Sequence, residues 1–332
     1  MAWKSTCKPM ARAAVCSIMW WCASRRMRCW NCISMWKKPT VSAYVTATPF
    51  AALNRMLAMA DSPENRRLHE LAALIDSGEC RPCTGALKVG VDLGTANIAI
   101  VVVDEDNQPV AGVTYPSSVV KDGVVVDYLT ASRVVTRLKH ILEQKLGRTL
   151  DRAATAIPPG ISEGNTKVIV NVVESAGFTV TRVLDEPVAA ASALNIKNGA
   201  VVDVGGGTTG MSILKSGKVT FSADEPTGGS HMTLVIAGAL GLPYTEAEAM
   251  KKDPAQEAQV FTLVLPVAQK MASLVSGWLA TQRVRNIYLV GGASSFSQFA
   301  AVFSKQTGKN VIPSVEPLLV TPLGIAMNAG QG

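Results

Sequence analysis

From about residue 87 onward the apolar positions of the chain switch between two periods, and the switching divides it into strands and helices. Val89–Leu93, Asn97–Val103 and Val110–Thr114 are short β-branched runs separated by Gly94-Thr95 and by Asp104–Gln108, which predicts an antiparallel meander. Thr130 opens a segment whose apolar residues Val134, Val135, Leu138, Ile141, Leu142 and Leu146 recur at helical spacing until Gly147 stops it. A strand at Ala153–Ile157, a second helix carrying Val168, Val172, Val173 and Ala176 as far as Gly177, and a strand at Val180–Leu184 make a β-α-β unit.

The same order then starts again. Ala200–Val204 leads into a glycine turn, Gly210–Lys215 returns, Ser216-Gly217 forms a hairpin, and Val219–Ala223 passes into helical segments. Within these, Val264, Met271, Leu274 and Val275 read as a core stripe. The expectation is two α/β lobes, 87–198 and 199–332, the C-terminal helix of the second returning towards the first. They are duplicated in structure rather than in sequence, with a ligand cleft between them.

Upstream the pattern differs. From about Leu53 to Ser77 the residues Met59, Leu68, Leu71, Leu74 and Ile75 predict an amphipathic helix ended by Gly78, so 56–86 is read as a helix plus the short linker Arg81–Ala86. Residues 1–55 show neither period, as Trp20–Trp30 illustrates, and are read as non-globular. All seven cysteines and five of six tryptophans precede residue 84. Four accounts compete: a zinc site from Cys29/Cys32 with Cys80/Cys83, a targeting peptide, a basic tail, or translation drawn too far upstream, with Met56 or Met59 nearer the true start. The last is preferred.

Composition narrows the function classes. The 332 residues allow a large core without disulfide or metal staples. The longest uncharged apolar run near the start, Ala13–Ala23, falls short of the ~20 residues of a membrane span, so no span is expected. The net charge of +7 resides in residues 1–60, which hold nine Lys and Arg and no acid; the body is near neutral and shows no basic stripe, which argues against nucleic acid.

Candidate chemistry lies in three turns. In Asp92-Leu93-Gly94-Thr95-Ala96-Asn97 a glycine bend lets backbone N–H groups converge on an anion, and the preceding carboxylate sits where a hydrated divalent ion would bridge it to phosphate, although Asp-x-Gly-Thr also occurs in ordinary turns. Asp203-Val204-Gly205-Gly206-Gly207-Thr208-Thr209 is a stronger signal, since three glycines cost chain entropy and pack nothing unless the backbone approaches something closely. It is neither a Walker loop nor a Rossmann fingerprint, because no Gly-Lys-Ser/Thr follows and a strand comes next. In Gly291-Gly292-Ala293-Ser294 a buried strand runs into paired glycines that a base or ribose would approach. His231, just after the paired glycines Gly228 and Gly229 and with no triad or metal spacing around it, reads as a local hydrogen-bonding residue, and His69 and His140 as solvated helix residues.

These words, in this order, resemble the actin, Hsp70 and sugar-kinase ATPase superfamily: phosphate-1 at Val89–Asp104, connect-1 at Asp185–Ala191, phosphate-2 at Val201–Ile213, the adenosine motif at Ile287–Phe299 and connect-2 at Thr321–Gly330. Asp92–Asn97 and Lys121–Asp127 are similar to the bacterial actin MreB, and Asp185–Ala191 to Hsp70. Leu184–Pro187, Gly205–Gly210, Gly217–Thr220, Ser222–Glu225 and Thr227–His231 resemble the small Hsp70-like proteins of ethanolamine-utilization operons.

The resemblance implies a duplicated ribonuclease-H-like, actin-type ATPase fold with two lobes around a nucleotide cleft. It implies ATP and Mg²⁺ as ligands, Asp92 and Asp203 holding the metal largely through water, and Gly94, Thr95, Ala96, Asn97 and Gly205, Gly206, Gly207, Thr208 and Thr209 on the phosphates. Gly228, Gly229, Glu248, Lys251, Gly291, Gly292, Ala293 and Ser294 would complete the nucleotide site. Glu186 matches the acid that orients the attacking water, or is a helix-terminal carboxylate favoured by the dipole. The implied protein is a cytoplasmic, weakly ATP-hydrolysing accessory of chaperone or reactivase type, serving ethanolamine-utilization enzymes or microcompartment proteins.

Two departures qualify that. Connect-2 is followed by only Gln331 and Gly332, so Hsp70-type peptide clamping is not expected, and Tyr115–Val120 runs almost directly into Lys121-Asp122-Gly123, so the upper subdomains are reduced. A small-molecule kinase and a nucleotide-gated scaffold or filament remain the alternatives.

Overall fold

The computed structural model describes residues 62–121 and 123–330. The expectations for residues 1–61, the Cys29/Cys32 pair among them, lie outside the described residues.

The first described helix, α1 (Pro63–Ser77), is capped by the Ser62 hydroxyl accepting from Asn65 N–H and is stopped by Gly78 at φ +68°. Strands β1 (Leu87–Leu93), β2 (Asn97–Asp104) and β3 (Pro109–Pro116) form the meander. A small hairpin of β4 (Val120–Lys121) and β5 (Val124–Val125) leads to α2 (Tyr128–Leu146), then β6 (Arg152–Ile157), α3 (Glu163–Ser175) and β7 (Thr179–Asp185). Helix α4 (Glu186–Ala193) crosses to the second set, β8 (Gly199–Val204), β9 (Thr209–Lys215) and β10 (Lys218–Glu225). Helices α5 (Gly229–Leu240), α6 (Tyr244–Lys252) and α7 (Glu257–Leu279), strand β11 (Asn286–Val290), α8 (Phe299–Thr307), β12 (Asn310–Pro313) and α9 (Pro317–Met327) complete the chain.

The strand order is β3-β2-β1-β6-β7 in one five-stranded sheet and β10-β9-β8-β11-β12 in the other. Each begins with an antiparallel meander and ends with two parallel strands reached by crossover. Residue by residue the duplication is close: Asp92 and Asp203 are each the last residue but one of their strand, and each is followed by a glycine-containing turn into the antiparallel partner. The expected α/β duplicated fold is the one observed.

Each sheet has its own outer core. Val135, Leu138 and Leu142 of α2 pack on β1–β3, and Val260, Val264, Met271 and Val275 of α7 pack on β8 and β11. A third cluster lies between the sheets, where Val101 and Val103 of β2 and Val201 and Val290 of the second sheet meet Leu319, Val320 and Leu323 of α9. Each fully buried Leu or Val there contributes roughly 1.5–3 kcal/mol of transfer free energy. Such a shared core makes α9 the joint of the molecule. It also explains why α9 carries almost no polar face, its residues Leu319 to Ala326 all being buried.

The segment Pro254–Leu279 has the length, and at 1.4 the mean hydropathy, to cross a membrane, and is the one helix among the described residues that does. Its buried residues recur at helical spacing against the second sheet, which is the pattern of a core helix.

Candidate functional site

The two glycine turns meet. A Cβ built on Gly206 would stand 2.8 Å from the Ala96 Cβ and 3.0 Å from its N, so the turn after β8 lies in van der Waals contact with the turn after β1. Around this meeting point opens a cavity of about 400 Å³. On the far side of the second turn, the N–H groups of Gly229 and Ser230 at the start of α5 donate to the carbonyls of Gly205 (2.9 Å) and Gly206 (2.7 Å). With those carbonyls engaged behind the loop, the N–H groups of Gly206 and Gly207 have no partner among the described residues, and the same holds for Thr95 and Ala96. Unpaired main-chain donors on two facing turns form an anion-binding concavity.

Three carboxylates stand beside these donors. Burial, and then the neighbouring Asp203, push Asp92 up to about 7. Burial pushes Asp203 up to about 6, against the opposing effect of the Thr321 hydroxyl, which donates to its Oδ2 at 2.6 Å. Glu186, the first residue of α4, is held well above the ordinary carboxylate range by burial and by Asp203, Asp92, Asp224 and Asp185. Buried acids crowded together in this way favour a bound positive charge. Among the described residues no three His, Cys, Asp or Glu side chains are grouped tightly enough to hold an ion directly. Two hard oxygen donors lining one cavity suit a magnesium ion that keeps most of its hydration shell.

The opposite wall comes from α6. Lys251 Nζ donates to Gly229 O at 3.0 Å and Thr233 Oγ1 at 2.8 Å and pairs with Glu248 Oε2 at 2.6 Å. Burial lowers the Lys251 pKa; at Glu248 burial acts upward, but hydrogen bonds from Lys251 and Thr233 prevail and hold the carboxylate below its usual value. This pair is therefore an ordered part of the cavity rather than a pair of free surface charges.

Gly291 follows β11 at φ +85°, and a Cβ there would run into the Asp203 carboxylate and Val204 O, so no side chain fits where the chain leaving β11 comes alongside the end of β8. Gly292 and Ala293 continue that wall.

Of the residues singled out from sequence, Asp92, Gly94, Thr95, Ala96, Asn97, Glu186, Asp203, Gly205, Gly206, Gly207, Thr208, Gly229, Glu248, Lys251, Gly291, Gly292 and Ala293 line this single cavity. Thr209, Gly228 and Ser294 stand one layer behind it. Thr209 Oγ1 donates to Thr227 O (2.6 Å), Ser294 Oγ to Gly291 O (2.8 Å), and a Cβ on Gly228 would lie 2.6 Å from Gly207 C, so all three support the turns from the rear. His231 Nδ1 accepts from Gly228 N–H at 3.2 Å, a helix-start hydrogen bond. Thr321 opens the connect-2 motif, but the sequence does not give its hydroxyl a partner, since a threonine within an apolar helix points to none until the fold is known. Lys252, Asp253 and Leu318 also reach the cavity without having been singled out.

Relatives place this architecture. Models of the MreB/Mbl protein and of the cell division protein FtsA match residues 117–246 and 200–319. The ethanolamine utilization protein EutJ of Escherichia coli (strain K12) is 43% identical over 246 residues, covering 74% of this chain and 87% of that protein. The chain belongs to the EutJ family. A crystal structure of EutJ from Carboxydothermus hydrogenoformans superposes with a TM-score of 0.75 at 46% identity, covering 80% of this chain and 97% of that one. EutJ proteins thus share the actin-like fold, which extends to the MreB5 of Spiroplasma citri bound to AMPPNP at 19% identity and a TM-score of 0.58, covering 73% of this chain and 95% of that one.

Proposed function

We propose that this EutJ-family protein binds Mg-ATP between its lobes, hydrolyses it slowly, and uses the resulting opening and closure to act on ethanolamine-utilization enzymes in the cytoplasm, beside or within a microcompartment. The observation that carries the reading is the contact of the two glycine turns at Gly206 and Ala96, with unpaired N–H groups on both sides and Asp92 and Asp203 at their bases. A polyphosphate is the ligand whose shape and charge such a paired cradle fits.

In this reading the N–H groups of Thr95, Ala96, Gly206 and Gly207 bind phosphate oxygens, and Asp92 and Asp203 orient the metal's water ligands. Bound magnesium would offset the phosphate and carboxylate charges together. Glu186 orients the attacking water by accepting its hydrogen bond. Glu248, Lys251, Gly291 and Gly292 position the nucleoside. Because the turns belong to different sheets, a ligand held by both favours a closed arrangement over an open one, which is the differential affinity a switch requires.

A coupled phosphate-release assay with and without ethanolamine and ethanolamine ammonia-lyase tests this. Release stimulated by the lyase is the expected result. Accumulation of phosphorylated ethanolamine would instead point to a kinase, and ATP-dependent sedimentation without turnover to a scaffold.

Glu186→Gln should bind Mg-ATP within about twofold of the parent and lose at least about tenfold in turnover, a modest share of what general-base positioning contributes. Undiminished turnover would remove Glu186 from the mechanism. Thr321→Val should weaken Mg-ATP binding by about tenfold, the size of one hydrogen bond to a buried carboxylate, with little change in nucleotide binding in the presence of EDTA. Equal losses with and without the metal would show that Thr321 acts on packing alone.

A further inference from the structure

The end of the second sheet opposite the cleft gathers positive charge. Parallel strands β8, β11 and β12 start there, at Gly199, Asn286 and Asn310, while antiparallel β9 ends at Lys215 and β10 begins at Lys218. The sheet order therefore brings four sequence-distant segments, 193–199, 214–219, 280–286 and 304–310, to one edge. Together they carry Lys197, Lys215, Lys218, Arg283, Arg285, Lys305 and Lys309, and no Asp or Glu. All but the half-buried Lys309 are exposed.

None of these seven cations makes an ion pair or side-chain hydrogen bond among the described residues. Helices α4, α8 and α7 all end here, and their negative dipole ends would attract cations; yet no Lys or Arg of the group donates to a terminal carbonyl. Between them lies a depression of about 220 Å³ lined by Asn198, Lys215, Arg283, Arg285 and Asn286. Guanidinium and amide donors around a space of that size suit a planar carboxylate side chain; a pocket for a nucleotide would be expected to reach ~300 Å³ or more. The four segments contain no Phe, Trp or Tyr, and Tyr288, whose ring stands beside Gly199, packs against the core between the sheets rather than offering a face for a base to stack on.

We infer that this sheet edge is a docking surface for an acidic segment of a partner protein, with one Glu or Asp of that segment seated among Lys215, Arg283 and Arg285. Five strands at a spacing of about 4.8 Å give an edge of roughly 19 Å, which a helix of about a dozen residues spans. The occupant is not the chain's own N-terminal region, because residues 1–60 contain nine basic residues and no acid. The inference is independent of what the cleft binds.

The test uses the full chain and a fluorescein-labelled twelve-residue peptide of alternating Glu and Ala, with binding followed by anisotropy at low salt. The Lys215→Glu/Arg283→Glu/Arg285→Glu variant should bind at least about tenfold more weakly, and the neutral Lys215→Gln/Arg283→Gln/Arg285→Gln variant should lie between it and the parent. Lys167→Glu, at an exposed position on α3 of the first lobe, should change affinity by less than twofold. The N-terminal basic region is common to all four proteins, so the differences report the sheet edge. Equal binding by the parent and both triple variants, or no binding by the parent, overturns the inference. So does tighter binding of a twelve-nucleotide single strand that the same triple variants abolish, which would assign the face to nucleic acid.

Discussion

Asp203→Ala is expected to weaken Mg-ATP binding at least about a hundredfold, a loss of about 2.7 kcal/mol, while leaving the ligand-free protein folded. The carboxylate is buried beside Asp92 and Glu186, so in the absence of a cation its charge is a liability to the fold. Its loss leaves the Thr321 hydroxyl unpaired, at a cost of about 1–3 kcal/mol, which offsets much of that relief. Net stability near pH 8 should therefore change little.

The pH dependence has a definite sign. Asp92, at about 7, and Asp203, at about 6, lie above their ordinary value of 3.8, so their contribution to stability is fully present below that value and is lost as pH rises through 6 to 7. Ligand-free protein should lose stability between pH 5 and pH 8, by an amount on the order of a few kcal/mol, and the slope should shrink in Asp203→Ala. Titration calorimetry and urea denaturation at the two pH values measure both effects. Unchanged nucleotide affinity, or stability rising across that window, would contradict the assignment of Asp203.

Gly324→Ala should be the most destabilising small substitution in the protein, at about 3–5 kcal/mol. In an exposed helix the same change gains up to about 1 kcal/mol. Here the new methyl would overlap the main-chain carbonyl of Ala189 in α4, and Gly90 of β1 makes a similar backbone approach to Ala326. Backbone cannot swing aside as a side chain can, so α9 must retreat from α4 and β1 and open the core shared by the two sheets. Gly238→Ala on α5, where nothing lies within 4 Å, is the control and should stabilise slightly. The urea midpoints of the two variants should move in opposite directions; a Gly324→Ala protein as stable as the parent would show that α9 is not held by this contact.

Much of the fold was legible because it is written locally. The meander 87–116, the helix stopped by Gly147 and the β-α-β unit around 152–185 follow from spacings that each segment contains within itself. The β4–β5 hairpin was not legible, since strands of two residues carry no period. At the site, the glycine turns stood out because consecutive glycines are costly without a close approach, whereas Thr321 looked like any residue of an apolar helix until folding set it against Asp203, 118 residues away.

Sequence alone determined which segments become strand or helix and which turns present free main-chain donors, because period, capping and glycine content act between neighbours. Only the tertiary structure decided that the turns at Gly94–Asn97 and Gly205–Thr208 face one cavity, that α9 ties Asp203 to the shared core, and that a near-neutral body concentrates seven cations on one edge. Those facts depend on strand order, which joins residues a hundred or more positions apart, and no local spacing encodes it.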